Sequence, residues 1–215
     1  MTKSTEQMLE WMGTFGRDYT DRNAAGYEDF EKLYENNFGL TRTALNQKFL
    51  NHIPSSARIL EVGSNVGNQL LCLQKMGFQN LYGIELQSYA VELSKKRTEQ
   101  INIIEGSAFD IPYKDQYFDL TFTSGVLIHI SPKNLPDVLK EIHRTTKTYI
   151  WGFEYWAEEY AEVNYRGKDN LLWKGNYAQI YLNLFKDLEL IKEERFKYLN
   201  SDNMDTMFLL KKKNG

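Results

Sequence analysis

From Arg58 onward, hydrophobic positions in this chain alternate between two rhythms. Short apolar runs occur at Arg58-Ile59-Leu60-Glu61-Val62, Leu81-Tyr82-Gly83-Ile84-Glu85, Ile101-Asn102-Ile103-Ile104-Glu105, Phe118-Asp119-Leu120-Thr121-Phe122-Thr123 and Thr148-Tyr149-Ile150-Trp151-Gly152. Their length and flanking turn residues predict strands buried on both faces. Between them lie segments of helical spacing. Residues 68–76 carry Leu70, Leu71, Leu73 and Met76 on one side and stop at Gly77, a suitable residue just past a helix end. Residues 88–97 and 135–145 read as further helices. This alternation predicts βαβ units, a parallel sheet and right-handed crossovers. After a helix at 176–185, the runs 188–198 and 206–212 are joined by Asn200-Ser201-Asp202-Asn203 and read as an antiparallel hairpin at a sheet edge. The whole predicts a doubly wound α/β fold whose ligand sits beyond the carboxyl ends of the strands.

The first fifty residues are polar and helical in character. Residues 27–35 and 41–50 are the candidate helices, the second with Thr41 as N-cap. Before them, Trp11-Met12-Gly13-Thr14-Phe15-Gly16-Arg17-Asp18-Tyr19-Thr20 reads as an arm or lid. The expected organisation is therefore an N-terminal helical arm, 1–50, packed on a single globular unit, 51–215. The Lys211-Lys212-Lys213 tail reads as a solvated terminus.

Composition narrows the class. The chain has 215 residues, 42% hydrophobic and 26% charged, which suits a globular protein and is too apolar for disorder. Its formal charge of −3 argues against a general affinity for nucleic-acid backbone. One cysteine, Cys72, excludes an internal disulfide and a cysteine-based zinc site. Residues 1–10 carry no apolar stretch of signal-peptide type, and no window suits a membrane helix. The expectation is a cytoplasmic protein with no metal, no nucleic acid and no membrane partner. Aromatics cluster: eleven lie between Tyr149 and Phe185.

The chemistry starts at Glu61-Val62-Gly63-Ser64-Asn65-Val66-Gly67-Asn68, which joins the first strand to its helix. Gly63 permits a sharp turn and close approach of a ligand; Gly67 lets the helix start near the strand. The helix N-terminus offers free N–H groups to an anion. A dinucleotide loop would carry glycine at Asn65 and glycine or alanine at Asn68, so a nicotinamide or flavin dinucleotide is disfavoured. Glu61 beside the loop would repel a phosphate and attract an ammonium. A ligand with an ammonium, a small carboxylate and no phosphate is S-adenosylmethionine. Eighteen residues after Gly67, Glu85 sits where a carboxylate can accept both ribose hydroxyls. After the third strand, Ser107, Ala108 and Phe109 can line an adenine slot. Glycines alone would be ordinary turn glycines; three features at three consecutive strand ends are stronger together.

On these residues the chain resembles a class I S-adenosylmethionine-dependent methyltransferase. Glu61 to Gly67 is similar to that family's first motif, with Asn65 where many members carry glycine. Glu85, with Leu86 beside it, matches the acidic ribose ligand, and Ser107, Ala108 and Phe109 match the adenine-side loop. The segment Phe118-Asp119-Leu120-Thr121-Phe122-Thr123-Ser124-Gly125-Val126-Leu127-Ile128-His129-Ile130 looks like the fourth-strand motif, whose end, at Ser124, faces the methyl group. More closely, Phe15-Gly16-Arg17-Asp18-Tyr19-Thr20-Asp21-Arg22-Asn23, the stretch from Thr123 to Ile130, and Tyr165-Arg166-Gly167 resemble the methyltransferases called pseudaminic acid biosynthesis-associated. The resemblance implies a Rossmann-like seven-stranded sheet ordered 3-2-1-4-5-7-6 with strand 7 antiparallel, and an association with nonulosonic-acid sugar pathways.

Methyl transfer is an in-line displacement that needs alignment above all, plus a base where the acceptor is a hydroxyl or protonated amine. His129, just after the fourth strand, is the candidate base; the alternative is a structural histidine bonded to backbone. His52 and His143 read as structural. Tyr155, Tyr165, Arg166 and Trp173 form the expected acceptor wall, with Arg166 and Lys174 able to hold a phosphate or carboxylate; the alternative is core and dimer surface. Tyr19 and Arg22 of the arm would lie near the methionine end of the cofactor. The fourth strand lacks the Asn-Pro-Pro-Tyr or Asp-Pro-Pro-Tyr sequence of nucleic-acid amino-methyltransferases. The expected activity is methyl transfer from S-adenosylmethionine, leaving S-adenosylhomocysteine, to a small sugar-derived acceptor. The rivals are a nicotinamide oxidoreductase on the same topology and a catalytically silent methyltransferase-like binding module.

Overall fold

The structure is a computed structural model and describes residues 4–213, so the first three residues of the polar N-terminal stretch lie outside it. Four helices come first: α1 (Glu6–Met12), α2 (Thr14–Asn23), α3 (Tyr27–Phe38) and α4 (Arg42–Leu50). The Rossmann-like part then runs β1 (Arg58–Val62), α5 (Asn68–Lys75), β2 (Asn80–Glu85), α6 (Ser88–Arg97), β3 (Ile101–Glu105), β4 (Phe118–Ser124), a 3-10 turn (Leu127–His129), α7 (Leu135–Thr145) and β5 (Thr146–Tyr155). A short ribbon of β6 (Ala161–Glu162) and β7 (Trp173–Lys174) precedes α8 (Tyr177–Leu184), β8 (Leu188–Lys197) and β9 (Met204–Lys212).

Seven strands form the main sheet in the order β3-β2-β1-β4-β5-β9-β8. With the ribbon set aside, this is the expected 3-2-1-4-5-7-6 order. β1 pairs in parallel with both β2 and β4, and β9 runs antiparallel to β5 and β8. Period-2 alternation sends neighbouring side chains to opposite faces. Ile59, Trp151 and Leu209 enter one core, with α4 and α5, while Leu60, Ile150 and Leu210 enter the other, with α7 and α8. Both faces are covered, so the strands read as continuous apolar runs. On α7, Leu135, Val138, Leu139 and Ile142 are all buried, the i, i+3, i+4, i+7 stripe of a helix on a sheet.

The N-terminal fifty residues contribute unequally. Thr41 caps α4 by accepting from Ala44 N–H at 3.1 Å, and Leu45, Phe49 and Leu50 of α4 belong to the main core. The glycine-punctuated stretch folds as α1 and α2, jointed at an extended Gly13. The tail departs from the solvated reading: Lys212 is buried, and its ammonium donates to the His143 and Thr146 carbonyls at 2.7 Å. The ammonium thus binds the carbonyls at the junction of α7 and β5.

Candidate active site

The loop between β1 and α5 is shaped by three left-handed residues. Gly63 has φ +75°, and a Cβ there would lie 2.6 Å from the Val126 side chain. Gly67 has φ +85°, and a Cβ there would press on Ile103 at 2.8 Å, so glycine lets α5 start against β3. Between them Asn65 has φ +46°. Asparagine is among the few non-glycine residues that enter this region readily, because its short amide bonds locally. Here Asn65 Oδ1 accepts from Val66 N–H at 2.8 Å, and Nδ2 donates to Thr20 Oγ1 of α2 at 3.2 Å. Substituting asparagine for glycine thus ties the loop to the N-terminal arm.

Around this loop lies a cavity of about 420 Å³, lined by the ends of β1, β2 and β4 and by α1 and α2. Its size suits a small-molecule site. Glu61 is 3% exposed and its Oε2 has no partner. Burial pushes its carboxyl well above the usual range, Arg42 pulls it down and Glu85 pushes it up. Glu85 is held more firmly. Its two oxygens accept from Asn65 N–H and Gln87 N–H, each at 2.8 Å. Burial raises its carboxyl and these backbone donors lower it. A carboxylate so oriented retains lone pairs for a diol.

These residues fit S-adenosylmethionine on observations internal to the structure. The unpaired buried oxygen of Glu61 needs a donor, which an amino-acid ammonium supplies. Glu85 is fixed by N–H groups at the end of β2, where a ribose would lie. Leu86, Ser107, Ala108 and Phe109 line the same cavity, as do Gly63, Ser64, Asn65, Ser124, Tyr19 and Arg22. Gly67 does not line it and serves the packing just described.

His129 stands at the junction with a second chamber of about 210 Å³ and lines both. Its Nδ1 lies 2.8 Å from the Leu171 carbonyl. A carbonyl can only accept, so Nδ1 carries the proton and Nε2 is left as an acceptor. The ring sits 4.5 Å from Trp11 and 5.4 Å from Tyr165, centroid to centroid. Burial pushes its pKa down to about 4, against a small raising effect of the Leu171 bond.

The second chamber receives Tyr155 and Tyr165 of the expected wall. Trp173 is 3% exposed within the core and Arg166 sits at an exposed turn with φ +54°; neither lines a chamber. Lys174 donates instead to the Asn203 side chain at 2.6 Å. Sequence reading missed the residues that close the chamber from other elements: Tyr34 of α3, Tyr198 in the β8–β9 turn, and Asp205 of β9. Asp205 is 2% exposed; its Oδ2 accepts from Tyr198 Oη at 3.1 Å and its Oδ1 has no partner. Burial lifts its pKa to about 7, with Tyr198, Arg42 and Lys174 opposing. Gln87 was missed as well: its Nε2 donates to the Trp11, Met12 and Gly13 carbonyls at the α1–α2 joint. Arg42 is wholly buried, with Nη1 on Tyr34 Oη at 3.2 Å and its guanidinium 4.5 Å from the Phe153 ring centre. An acid opening an apolar strand, as Asp205 does, was the one visible signal.

With this geometry in place, comparison with known proteins agrees. Residues 60–149 match the methyltransferase domain family. Over this stretch the chain is similar to methyltransferase domains, and its fold is that of the solved S-adenosylmethionine-dependent methyltransferases it resembles. Over 136 residues the chain is 26% identical to a demethylmenaquinone methyltransferase of Bacillus licheniformis, covering 55% of this chain and 56% of that one. The chain thus spans about half the length of that relative. Among solved structures it is similar to a 1,6-didemethyltoxoflavin-N1-methyltransferase of Burkholderia thailandensis with 1,6-didemethyltoxoflavin and S-adenosylhomocysteine bound (TM-score 0.66, 12% identity, 92% of this chain and 88% of that one). It is also similar to the cyclase SpnF (TM-score 0.64, 15% identity, 80% and 81%).

Proposed function

We propose that the chain transfers a methyl group from S-adenosylmethionine to a small polar acceptor, a carbohydrate or sugar nucleotide of the nonulosonic (pseudaminic) acid type, with oxygen as the receiving atom. The observation that carries this reading is Glu61. Its buried, unpaired carboxylate oxygen lies in the cavity wall beside the glycine loop, where a cationic amino-acid head group relieves it. A pyrophosphate offers the Glu61 oxygen no donor and meets the Asn65 side chain, which disfavours a nicotinamide oxidoreductase.

When bound, the cofactor supplies a methyl group on a sulfonium centre. The chain's own residues do the rest. Glu85 holds the ribose, and Ser107, Ala108 and Phe109 face the adenine. α1 and α2 form a lid that excludes water, with Tyr19 and Arg22 over the methionine end and Trp11 against His129. His129 Nε2 accepts the acceptor's hydroxyl proton. At about 4 its pKa keeps it unprotonated at neutral pH. The same shift makes it a weak base, suited to taking the proton late, once the new carbon–oxygen bond has made the acceptor oxygen strongly acidic. Tyr155 and Tyr165 offer aromatic faces to a sugar ring. Arg166, with Tyr165 beneath it, is placed to meet a part of the acceptor that projects from the chamber. The buried, unpaired Cys72 fits a reducing, cytoplasmic compartment, and among the described residues no helix is long and apolar enough to cross a membrane.

One observation favours a second reading, a cofactor-binding module without methyl transfer: the same fold serves a cyclase in SpnF. Calorimetry with S-adenosylhomocysteine and labelled-methyl transfer to a panel of sugars and sugar nucleotides separate the two. A product heavier by one methyl group supports the enzyme. Tight binding with no methylated product supports the module, and absence of cofactor binding sinks both.

A further inference from the structure

The second chamber carries only one charged side chain, Asp205, and no lysine or arginine lines it. The carboxylate is 2% exposed, and one of its oxygens has no partner. The nearest buried cation does not discharge it. Arg42 spends Nη1 on Tyr34 and keeps Nε and Nη2 unpartnered, so its effect on Asp205 is felt through space only. Around the carboxylate stand aromatic rings in close register. Phe38 and Tyr198 are 4.6 Å apart, Phe38 and Phe153 5.7 Å, Tyr34 and Phe153 5.9 Å, and Tyr155 and Tyr198 6.4 Å, centroid to centroid.

A phosphate or carboxylate entering this chamber would meet the Asp205 carboxyl and the negative faces of the rings, with no lysine or arginine in the chamber wall to receive it. A protonated amine meets the opposite: a desolvated carboxylate with a free oxygen, and ring faces that attract cations. Asp205 lines only this chamber, whereas Tyr19, Ser124, Gly125 and His129 line both. The group bound at Asp205 is therefore separate from the atom presented at the junction.

We infer that the second chamber is a subsite for a protonated amino group of the acceptor, anchored by Asp205 inside the ring of Tyr34, Phe38, Phe153, Tyr155 and Tyr198. This rests on the methyl-transfer reading, and it narrows the acceptor to an amine-bearing small molecule, of which an amino sugar is the kind that also satisfies the aromatic walls. Anionic parts of the acceptor then project outward.

Three probes of one shape and different charge test this on the full chain: benzylamine, benzyl alcohol and benzoate. S-adenosylhomocysteine is titrated first. If it binds, the probes are titrated into that complex; if it does not, the methyl-transfer reading fails by itself and the probes are titrated into the free chain. Benzylamine is expected to bind about tenfold or more tighter than the alcohol, and benzoate weakest, the size of a charge-assisted hydrogen bond. In Asp205→Asn the difference between amine and alcohol should vanish, with the affinity for S-adenosylhomocysteine kept. Equal binding of amine and alcohol, preference for benzoate, or an order that survives Asp205→Asn overturns the inference. If the variant does not fold, crystals soaked with benzylamine decide: nitrogen within hydrogen-bond distance of Asp205 supports the subsite, and any other location overturns it.

Discussion

Glu85 and His129 illustrate how the use of a side chain is set by what holds it. Glu85 is fixed by two backbone donors and keeps its remaining lone pairs for the cavity. Replacing it by alanine should weaken S-adenosylhomocysteine binding by about 1–3 kcal/mol, the cost of losing hydrogen bonds to a charged group. Calorimetry checks this, and unchanged affinity removes Glu85 from the site. His129 makes its structural bond through Nδ1 alone, so the structural and catalytic readings are compatible. His129→Gln should slow turnover roughly 10²–10⁴-fold, with cofactor affinity nearly unchanged. Its lowered pKa sets the acid limb of the profile. The competent form is the neutral one, so kcat should hold steady from neutral pH down and fall only as the pH nears about 4. A limb near the ordinary histidine value, about 6.5, would place the essential proton on another group.

At the scale of elements, α1 and α2 are tied to the rest by polar bonds and by two ring contacts, Trp11 on His129 and Phe15 on Tyr165, and contribute no residue to the buried core clusters. Gln87 reaches the α1–α2 joint, Asn65 reaches Thr20, Tyr89 donates to Asp21, and Lys168 pairs with Glu10 at 2.8 Å. Such bonds exchange with water at little net cost, which suits a lid that opens. Deleting residues 1–25 should leave a folded chain, because α4 carries the apolar contacts of the N-terminal region, and should speed release of S-adenosylhomocysteine. Stopped-flow displacement measures it, and an unchanged release rate rules out a lid. The strands were legible from apolar runs because burial on both faces leaves no other pattern. The arm was legible only as unusual: Gly13 and Gly16 break its rhythm, and sequence cannot tell a jointed helix pair from a loop. The aromatic wall was half legible. Tyr155 and Trp173 look alike in sequence, and only the β6–β7 ribbon decides that one faces a chamber and the other the core.

Across the whole molecule, the larger cavity could be read from sequence because the residues that line it follow consecutive strands. The second chamber could not, since Tyr34, Tyr155 and Asp205 come from three distant elements. Glu61 in the first chamber and Asp205 in the second each keep a buried oxygen without a partner, and together with Glu85 and Glu154 they fix how stability should respond to pH. Glu61, Glu85, Glu154 and Asp205 all have raised pKa values, led by burial, with Glu154 and Asp205 at about 7. A raised carboxyl binds its proton more tightly in the folded state, so its contribution is complete below the unfolded value and is lost as pH rises through the folded one. His129 and His143 are lowered and act oppositely, losing stability as pH falls below the histidine range. The raised carboxyls, led by Glu154 and Asp205, make the cofactor-free chain less stable at about pH 7.5 than at about pH 5.5, with His129 and His143 opposing. An arriving ammonium changes the balance by holding Glu61 ionised, with Arg42 assisting and Glu85 opposing. Binding of S-adenosylhomocysteine should therefore release protons, and its stabilising effect should grow as pH rises. Thermal melts with and without the ligand, and calorimetry in buffers of different ionisation heat, measure both effects. Glu61→Gln should bind more weakly and release fewer protons; release that persists undiminished in this variant would take Glu61 out of the cofactor's reach.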